Sequence, residues 1–316
     1  MTTLPVFGGS PRTSLHPPGR KLRRSLLIVG FLAPAVLLFL GFVVWPIGQA
    51  LVLGLFQWDG LGPPDEFVGP ENYQRALSDP VFLGAVGHTI FFIVTSVVLQ
   101  LPIALGLALL VRRNLVGSHV FRLIFFLPFV LSDVVAAQIW NFLYQPQFGG
   151  IDAIFAGIIP GFTSQDWLGN GDLVLWAIFA VSTWKYLGFS MTLFITGLNQ
   201  IPSEVEEAAM LDGAGAVQTF WFVTLPMIGS TVRLAIYLAV LGSLQMFELI
   251  FVMSAGGPAH ASETITTYMY NYGFKSFQLG YGNALAVILF LVCFGFSFVY
   301  QRFVFRRDFA GEVARG

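Results

Sequence analysis

Charge is scarce in this chain: only 10% of its 316 residues are Asp, Glu, Lys or Arg, bunched between long uncharged runs. That distribution excludes an ordinary soluble domain, whose surface needs about a quarter of its residues charged. Cysteine occurs once, as Cys293, so no intramolecular disulfide is possible and the thiol reads as a small apolar packing group. Histidine occurs four times, at His16, His88, His119 and His260. No segment follows the G-x-x-x-x-G-K-[ST] pattern of a phosphate loop, and no connection between apolar runs could hold a nucleotide domain.

What fills the chain instead is apolar: 56% of residues are hydrophobic, with a mean hydropathy of +0.76. A membrane-spanning helix needs about 20 mostly apolar residues. Six segments reach that length, namely Leu26 to Leu55, Leu83 to Val111, Leu123 to Tyr144, Leu173 to Leu198, Leu234 to Met253 and Ala284 to Phe303. The first is too long for the core of a cleaved signal peptide and reads as an anchor. The expected fold class is therefore an all-α membrane protein of six transmembrane helices, spanning residues 25–307. Residues 1–24 read as a disordered basic tail and residues 308–316 as a C-terminal tail.

Lys and Arg in short connections orient the helices. Arg20, Lys21, Arg23 and Arg24 precede the first span, Arg112, Arg113 and Arg122 lie between the second and third, and Arg302, Arg306 and Arg307 follow the sixth. These ends are expected in the cytoplasm, as are both termini. The alternate connections carry Asp59, Asp65, Glu66, Glu71, Asp79, Asp152, Asp166 and Asp172, with Arg75 and Lys275 as their basic groups.

Residues 199–226 break the orientation rule, being cytoplasmic yet acidic, with Glu204, Glu206, Glu207 and Asp212. Pro202 and Ser203 should open a helix, with Ser203 and Glu206 spaced for a capping box. Gly213 and Gly215 should end it, and Val217 to Val223 should form a second amphipathic piece running to Pro226. Ala208 and Ala209 are small enough for close approach by a partner, and Met210 and Leu211 suit an apolar groove, so the insert reads as a helix-in-groove element docking another protein.

Glu207-Ala208-Ala209, Asp212-Gly213-Ala214, Phe220 and Leu225-Pro226 resemble the EAA signature of ABC-importer permeases, the loop that couples a membrane subunit to its ATPase. Phe247-Glu248-Leu249-Ile250, Gly256-Gly257-Pro258 and Thr264 to Tyr270 resemble carbohydrate-uptake permeases of the maltose type. Trp58-Asp59-Gly60, Gly69, Glu71-Asn72-Tyr73 and Asp79-Pro80 extend the likeness over nearly all of the chain after residue 24. His88 departs from it, standing where such permeases carry Asn, and reads as a packed, hydrogen-bonded side chain.

Within the spans, Asp133, Lys185 and Glu248 are the charged candidates. Such groups face a bundle interior or a polar path. Asp133 and Lys185, each near the middle of its span, pair best, either as a structural lock or as a substrate contact. A path for a hydroxyl-rich ligand needs aromatic faces and uncharged hydrogen-bonding groups. Thr183, Tyr186 and Ser190, with Phe189 beside them, share one face of the fourth span, while Gly242, Ser243 and Met246 line the fifth. The resemblance implies the same stretches: the family holds its sugar at positions matching Thr183, Tyr186, Phe189, Gly242, Ser243 and Met246. Ser243 and Met246 replace amide side chains of the maltose permease.

The resemblance implies a permease subunit of an ATP-driven sugar importer in a bacterial or archaeal cytoplasmic membrane, breaking no substrate bond. It implies ATPase contact through Glu207, Ala208, Ala209, Asp212 and Gly213. The expected partners are a second homologous permease subunit, two ATPase subunits, an extracytoplasmic sugar-binding protein and membrane lipid, with no nucleic acid. No cofactor or metal is expected in this chain, ATP and Mg being used by the ATPase. Two other classes compete with this one. An intramembrane serine protease could use Ser190 after Gly188-Phe189, but no His lies in the sixth span to act as its base. A secondary transporter or channel subunit would need no ATPase but would show an internal repeat, facing broken helices or a filter loop, and none is visible in the sequence.

Overall fold

The computed structural model describes residues 19–112 and 117–305. Residues 1–18 of the expected N-terminal tail, the whole expected C-terminal tail at 308–316, and Arg113, Arg306 and Arg307 lie outside the described residues. The chain divides into two compact units, residues 1–50 and 51–316. In the first, α1 (Gly19–Phe39) already begins within the segment expected as a tail, and a π-turn over Leu40–Val44 leads into α2 (Trp45–Leu53), whose last three residues are counted with the second unit.

In the second unit a short antiparallel hairpin, β1 (Phe56–Gln57) and β2 (Glu66–Phe67), pairs Phe56 with Phe67 and Gln57 with Glu66. There follow α3 (Glu71–Ser78), α4 (Pro80–Thr95), a π-turn at Ser96–Gln100, α5 (Leu101–Arg112), α6 (Ser118–Val130), α7 (Asp133–Leu143) and α8 (Gly150–Ile158). Then come α9 (Val174–Leu198), α10 (Ser203–Leu211), α11 (Ala216–Thr219), a π-turn at Phe220–Thr224 and α12 (Leu225–Met227). The chain finishes with α13 (Gly229–Leu244), α14 (Glu248–Met253), α15 (Ile265–Tyr270) and α16 (Leu279–Tyr300). Among the described residues four helices are long and apolar enough to cross a membrane, and six if each of two sharply bent helix pairs is one span.

Three π-turns share a sequence cause. Those ending at Val44, Gln100 and Thr224 each stop two residues before a proline, Pro46, Pro102 and Pro226. Proline has no N–H for the carbonyl four residues back, and its ring collides with that carbonyl. A locally widened turn relieves the collision without breaking the span.

Two spans expected as continuous are broken. The third bends by 100° between α6 and α7. Pro128 weakens the end of α6, Leu131 and Ser132 are extended, and the Ser132 hydroxyl caps α7 by accepting from Val135 N–H at 3.3 Å. Asp133 therefore stands in a first helical turn, not mid-helix. The fifth span, expected over Leu234 to Met253, begins earlier at Gly229 and stops at Leu244, and α14 resumes at Glu248. Thr266 in α15 donates to the Met246 carbonyl at 2.6 Å, supplying a partner for backbone freed by the break.

Helix α9 is the central post. Ala104 and Ala108 of α5 are fully buried against Met191, Phe194, Ile195 and Leu198, while Ala136 and Ala137 of α7 pack with Val174, Ile178 and Val181. Lipid gives no hydrophobic drive between helices, so close contact through small residues has to hold them. Gly188 is the extreme case: a Cβ there would lie 1.9 Å from the Phe125 carbonyl oxygen of α6.

The outer connections are fastened by polar groups. Asp79 caps α4 through Val81 N–H at 2.8 Å, with Pro80 in the first turn, and accepts from Tyr268 at 2.6 Å. Burial opposes ionisation of Asp79, but the Tyr268 hydroxyl, the Val81 and Phe82 amides and Arg75 outweigh it and hold the carboxyl below its ordinary range. Asn72 donates to the carbonyls of Gly54 and Phe56, both at 3.0 Å, tying α3 to the hairpin. His88 bonds the Glu263 carbonyl at 2.9 Å, the packed role expected of it. Glu263, a further acidic residue of the outer connections, is buried and bonded by Asn271 at 2.8 Å and by His260.

Candidate functional site

A cavity of about 300 Å³ opens between the π-turn at Ser96–Gln100, the end of α6, α9 and α13, at the level of the two helix breaks. Five of the six expected path residues meet there: Tyr186 and Phe189 from α9, Gly242 and Ser243 from α13, and Met246 from the break that follows. Thr183 does not line it; its hydroxyl is buried without a hydrogen-bond partner. The stripe of α9 that faces the cavity is Ser182, Tyr186, Phe189, Ser190 and Leu193, residues three or four apart along one helix face. The i, i+3, i+7 stripe drawn from Thr183 starts one residue out of phase, a rotation of about 100° on a helix of 3.6 residues per turn.

The far wall holds Phe129, stacked on Phe189 with centroids 4.9 Å apart and rings 19° from parallel. Tyr186 meets Phe129 edge-on at 6.1 Å. These rings supply the apolar faces, and hydroxyls and amides supply the polar part. Ser182, Ser190 and Ser243 are buried, and Gln100 and Gln245 also line the cavity. Gln100 and Gln245 thus bring amides to a cavity where Ser243 and Met246 supply none. Gln100 lay inside an apolar run, and its inward placement depends on the π-turn set by Pro102. Gln245 lay inside a stretch expected as plain helix.

The charged pair forms as expected: Lys185 Nζ lies 3.1 Å from Asp133 Oδ1, with the Lys185 side chain 4% exposed and that of Asp133 26% exposed. Tyr186 donates to both Asp133 oxygens, at 2.9 and 3.0 Å. Lys185 also donates to the Leu131 carbonyl. The ammonium thus bridges the bend, meeting the carbonyl end of α6 and the first-turn carboxylate of α7, where both helix dipoles favour those charges. Glu248, in the first turn of α14, is exposed at the cavity.

The acidic insert forms an elbow below this cavity. Helix α10 ends in a Schellman motif: Gly213 N–H bonds Met210 O at 3.1 Å and Ala214 N–H bonds Ala209 O at 3.0 Å. Gly213 has φ +86°, a left-handed conformation that glycine adopts at no steric cost. The capping box expected between Ser203 and Glu206 does not form, Pro202 being the cap residue without a side-chain bond. Glu206 instead accepts from Arg112 at 2.8 Å and from Thr224 at 3.2 Å, bonds that tie the elbow to α5 and to the π-turn before α12. A charge-assisted bond to guanidinium is stronger than a bond to a solvated backbone N–H. The piece expected at Val217 to Val223 is α11 followed by the π-turn at Phe220–Thr224. Glu207, Ala208, Asp212 and Gly213 are exposed, Ala209 is half-buried, and Met210, Leu211 and Val217 present apolar surface beside them.

Residues 100–308 match the model of the family described as the binding-protein-dependent transport system inner membrane component. The chain is 34% identical over 275 residues to a probable ABC transporter permease, YurN, of Bacillus subtilis (strain 168), covering 86% of this chain and 94% of that relative. It is 32% identical over 304 residues to the diacetylchitobiose uptake system permease NgcF of Streptomyces coelicolor, covering 92% and 84% respectively. A chain of a bacterial alginate ABC transporter, solved with an alginate pentasaccharide-bound periplasmic protein, superposes with a TM-score of 0.77 at 20% identity, covering 91% of this chain and 96% of that one. That structural likeness shows a common fold. With two thirds of its length inside the family model and an identity above 30% along most of the chain, the protein belongs to the binding-protein-dependent transport system inner membrane component family.

Proposed function

We propose that this chain forms one half of the membrane pathway of an ATP-driven ABC importer carrying a sugar across a bacterial or archaeal cytoplasmic membrane. The observation that carries this reading is the cavity, walled by Phe129, Tyr186 and Phe189 and lined by serine hydroxyls and glutamine amides. Aromatic faces match the apolar faces of a pyranose ring, and uncharged donors and acceptors match its hydroxyls. The relative NgcF is named for uptake of a disaccharide. In this reading Tyr186, Phe189, Gly242, Ser243 and Met246 touch the sugar, and Thr183 supports the helix behind them.

The complete importer contains a second, related permease subunit closing the cavity, an extracytoplasmic sugar-binding protein delivering the ligand, and two ATPase subunits that use ATP and Mg²⁺. This chain supplies the path and the lever. Helix α9 runs into α10 through Asn199–Pro202, and the elbow leads on through α12 to α13. Displacing Glu207, Ala208, Ala209, Asp212 and Gly213 with a docked ATPase therefore moves the two helices that wall the cavity, and the access side changes by rigid-body motion.

The test uses the assembled complex in vesicles, with tritiated disaccharide uptake and ATP hydrolysis measured together. Gly213→Pro cannot adopt the positive φ and loses the N–H bonded to Met210, so the elbow is deformed while the spans are untouched. Uptake should fall at least tenfold with subunit assembly retained. Normal coupled uptake in Gly213→Pro would refute the lever.

A further inference from the structure

Resting on the sugar-importer reading, we infer that Gln100 is a specificity-determining residue of the cavity, and that the ligand class it selects is a neutral saccharide bearing adjacent hydroxyls. Gln100 lies inside the span Pro80–Arg112, the last residue of the π-turn placed by Pro102. Its side chain is 5% exposed and lines the cavity. Among the described residues no group hydrogen-bonds its amide, and the amide atoms stay open to the cavity, so their donor and acceptor are free for a ligand. Ser182 and Ser190, 6% and 7% exposed, also line the cavity with no hydrogen-bond partner. Their unused donors and acceptors face one space.

A carboxamide offers an acceptor oxygen beside an N–H donor, and a pair of neighbouring sugar hydroxyls offers the complementary donor and acceptor. The charges define the rest of the class. Among the described residues no cation lines the cavity: Lys185, on the same helix as Tyr186, is held by Asp133 and by the Leu131 carbonyl, and Glu248 adds an exposed carboxylate. A uronate or a phosphorylated polyol would find no free positive group here and would meet Glu248. A neutral ligand meets neither difficulty.

The experiment compares wild type, Gln100→Leu and Gln100→Glu in the complete complex, using tritiated maltose, tritiated diacetylchitobiose and a uronic-acid disaccharide as probes. Uptake into vesicles identifies the transported disaccharide, and its equilibrium retention on the complex separated from its binding protein reads affinity at the cavity. Gln100→Leu removes no bond within the chain, so assembly and thermal stability should stay at wild-type values. Retention of the neutral disaccharide should weaken about fivefold to tenfold, the equivalent of one neutral hydrogen bond. Gln100→Glu, which keeps acceptors and loses the donor, should weaken it as much. The uronic-acid disaccharide should not be retained by any of the three.

Unchanged retention in Gln100→Leu, with neutral-sugar uptake intact in wild type, overturns the inference alone. Poor assembly of Gln100→Leu with the second permease subunit, at unchanged affinity, also overturns it, because the amide would then serve the subunit interface. Retention of the uronic-acid disaccharide overturns the ligand class. A wild type that takes up neither neutral disaccharide overturns the sugar reading itself and this inference with it.

Discussion

Lys185→Met isolates the function of the charged pair. The substitution keeps the length and apolar stem of the side chain and removes the ammonium that bridges Asp133 and the Leu131 carbonyl across the 100° bend. Removing one partner of a buried ion pair costs about 3–5 kcal/mol, because the remaining charge stays desolvated. Asp133 keeps 26% of its side chain exposed and retains the Tyr186 hydroxyl, so the lower end, about 3 kcal/mol, applies. For a chain of this size each kcal/mol moves the melting temperature by about 2–4 °C, giving an expected fall of about 6–12 °C. The assay is thermal unfolding of the detergent-solubilised subunit, followed by reaction of the lone thiol, Cys293, with a fluorogenic maleimide. Combining Lys185→Met with Asp133→Asn removes the stranded charge and should recover more than half of the loss. A single variant melting within 1 °C of wild type, or a double variant no better than the sum of its parts, would refute the clasp.

Two further outcomes are expected. Gly188→Ala would place its Cβ 1.9 Å from Phe125 O and 2.8 Å from Phe126 Cα, both backbone atoms that have no rotamer to escape by. Helices α6 and α9 must separate by about 1.5 Å to restore ordinary contact, at a cost of about 1–3 kcal/mol; a melting temperature equal to wild type would contradict the close crossing. At the outer face, the Ser164 hydroxyl, with help from the Trp167 indole and the amides of Gln147 and Gln165, outweighs burial and holds the Asp152 carboxyl below its ordinary value of 3.8. A depressed folded pKa stabilises fully above pH 3.8 and ceases to do so as pH falls through the lower folded value. Pepsin cleavage within residues 146–167, normalised to an unfolded substrate, should therefore rise only below about pH 4. A rise between pH 6 and 5 would point to another group.

The likeness to a known family and the position of the elbow were legible because they rest on local chemistry. Gly213 after Asp212 ends a helix in any context, since only glycine enters the left-handed region without strain. Six apolar runs of spanning length imply helices because lipid forces the backbone to bond within its own segment. The Asp133–Lys185 pair was legible too, since a lone charge within an apolar run needs a partner and each had one candidate at similar depth. The breaks in the third and fifth spans were not. Hydropathy averages over 20 residues and does not register a bend at Leu131–Ser132, where Pro128 and the Ser132 cap act over a few residues. The same blindness hid Gln100 and Gln245.

The sequence by itself determined what could be decided by composition and by signals a few residues long: the apolar spans, the helix stop at Gly213 and the absence of a phosphate loop. Only the tertiary structure decided which side chains share the cavity, because that depends on the rotation of each helix about its axis. A π-turn at Ser96–Gln100 and a break at Gln245–Phe247 each reset that rotation. Thr183 fell behind the wall, Gln100 came to the front, and Glu206 left its expected cap to tie the elbow to Arg112.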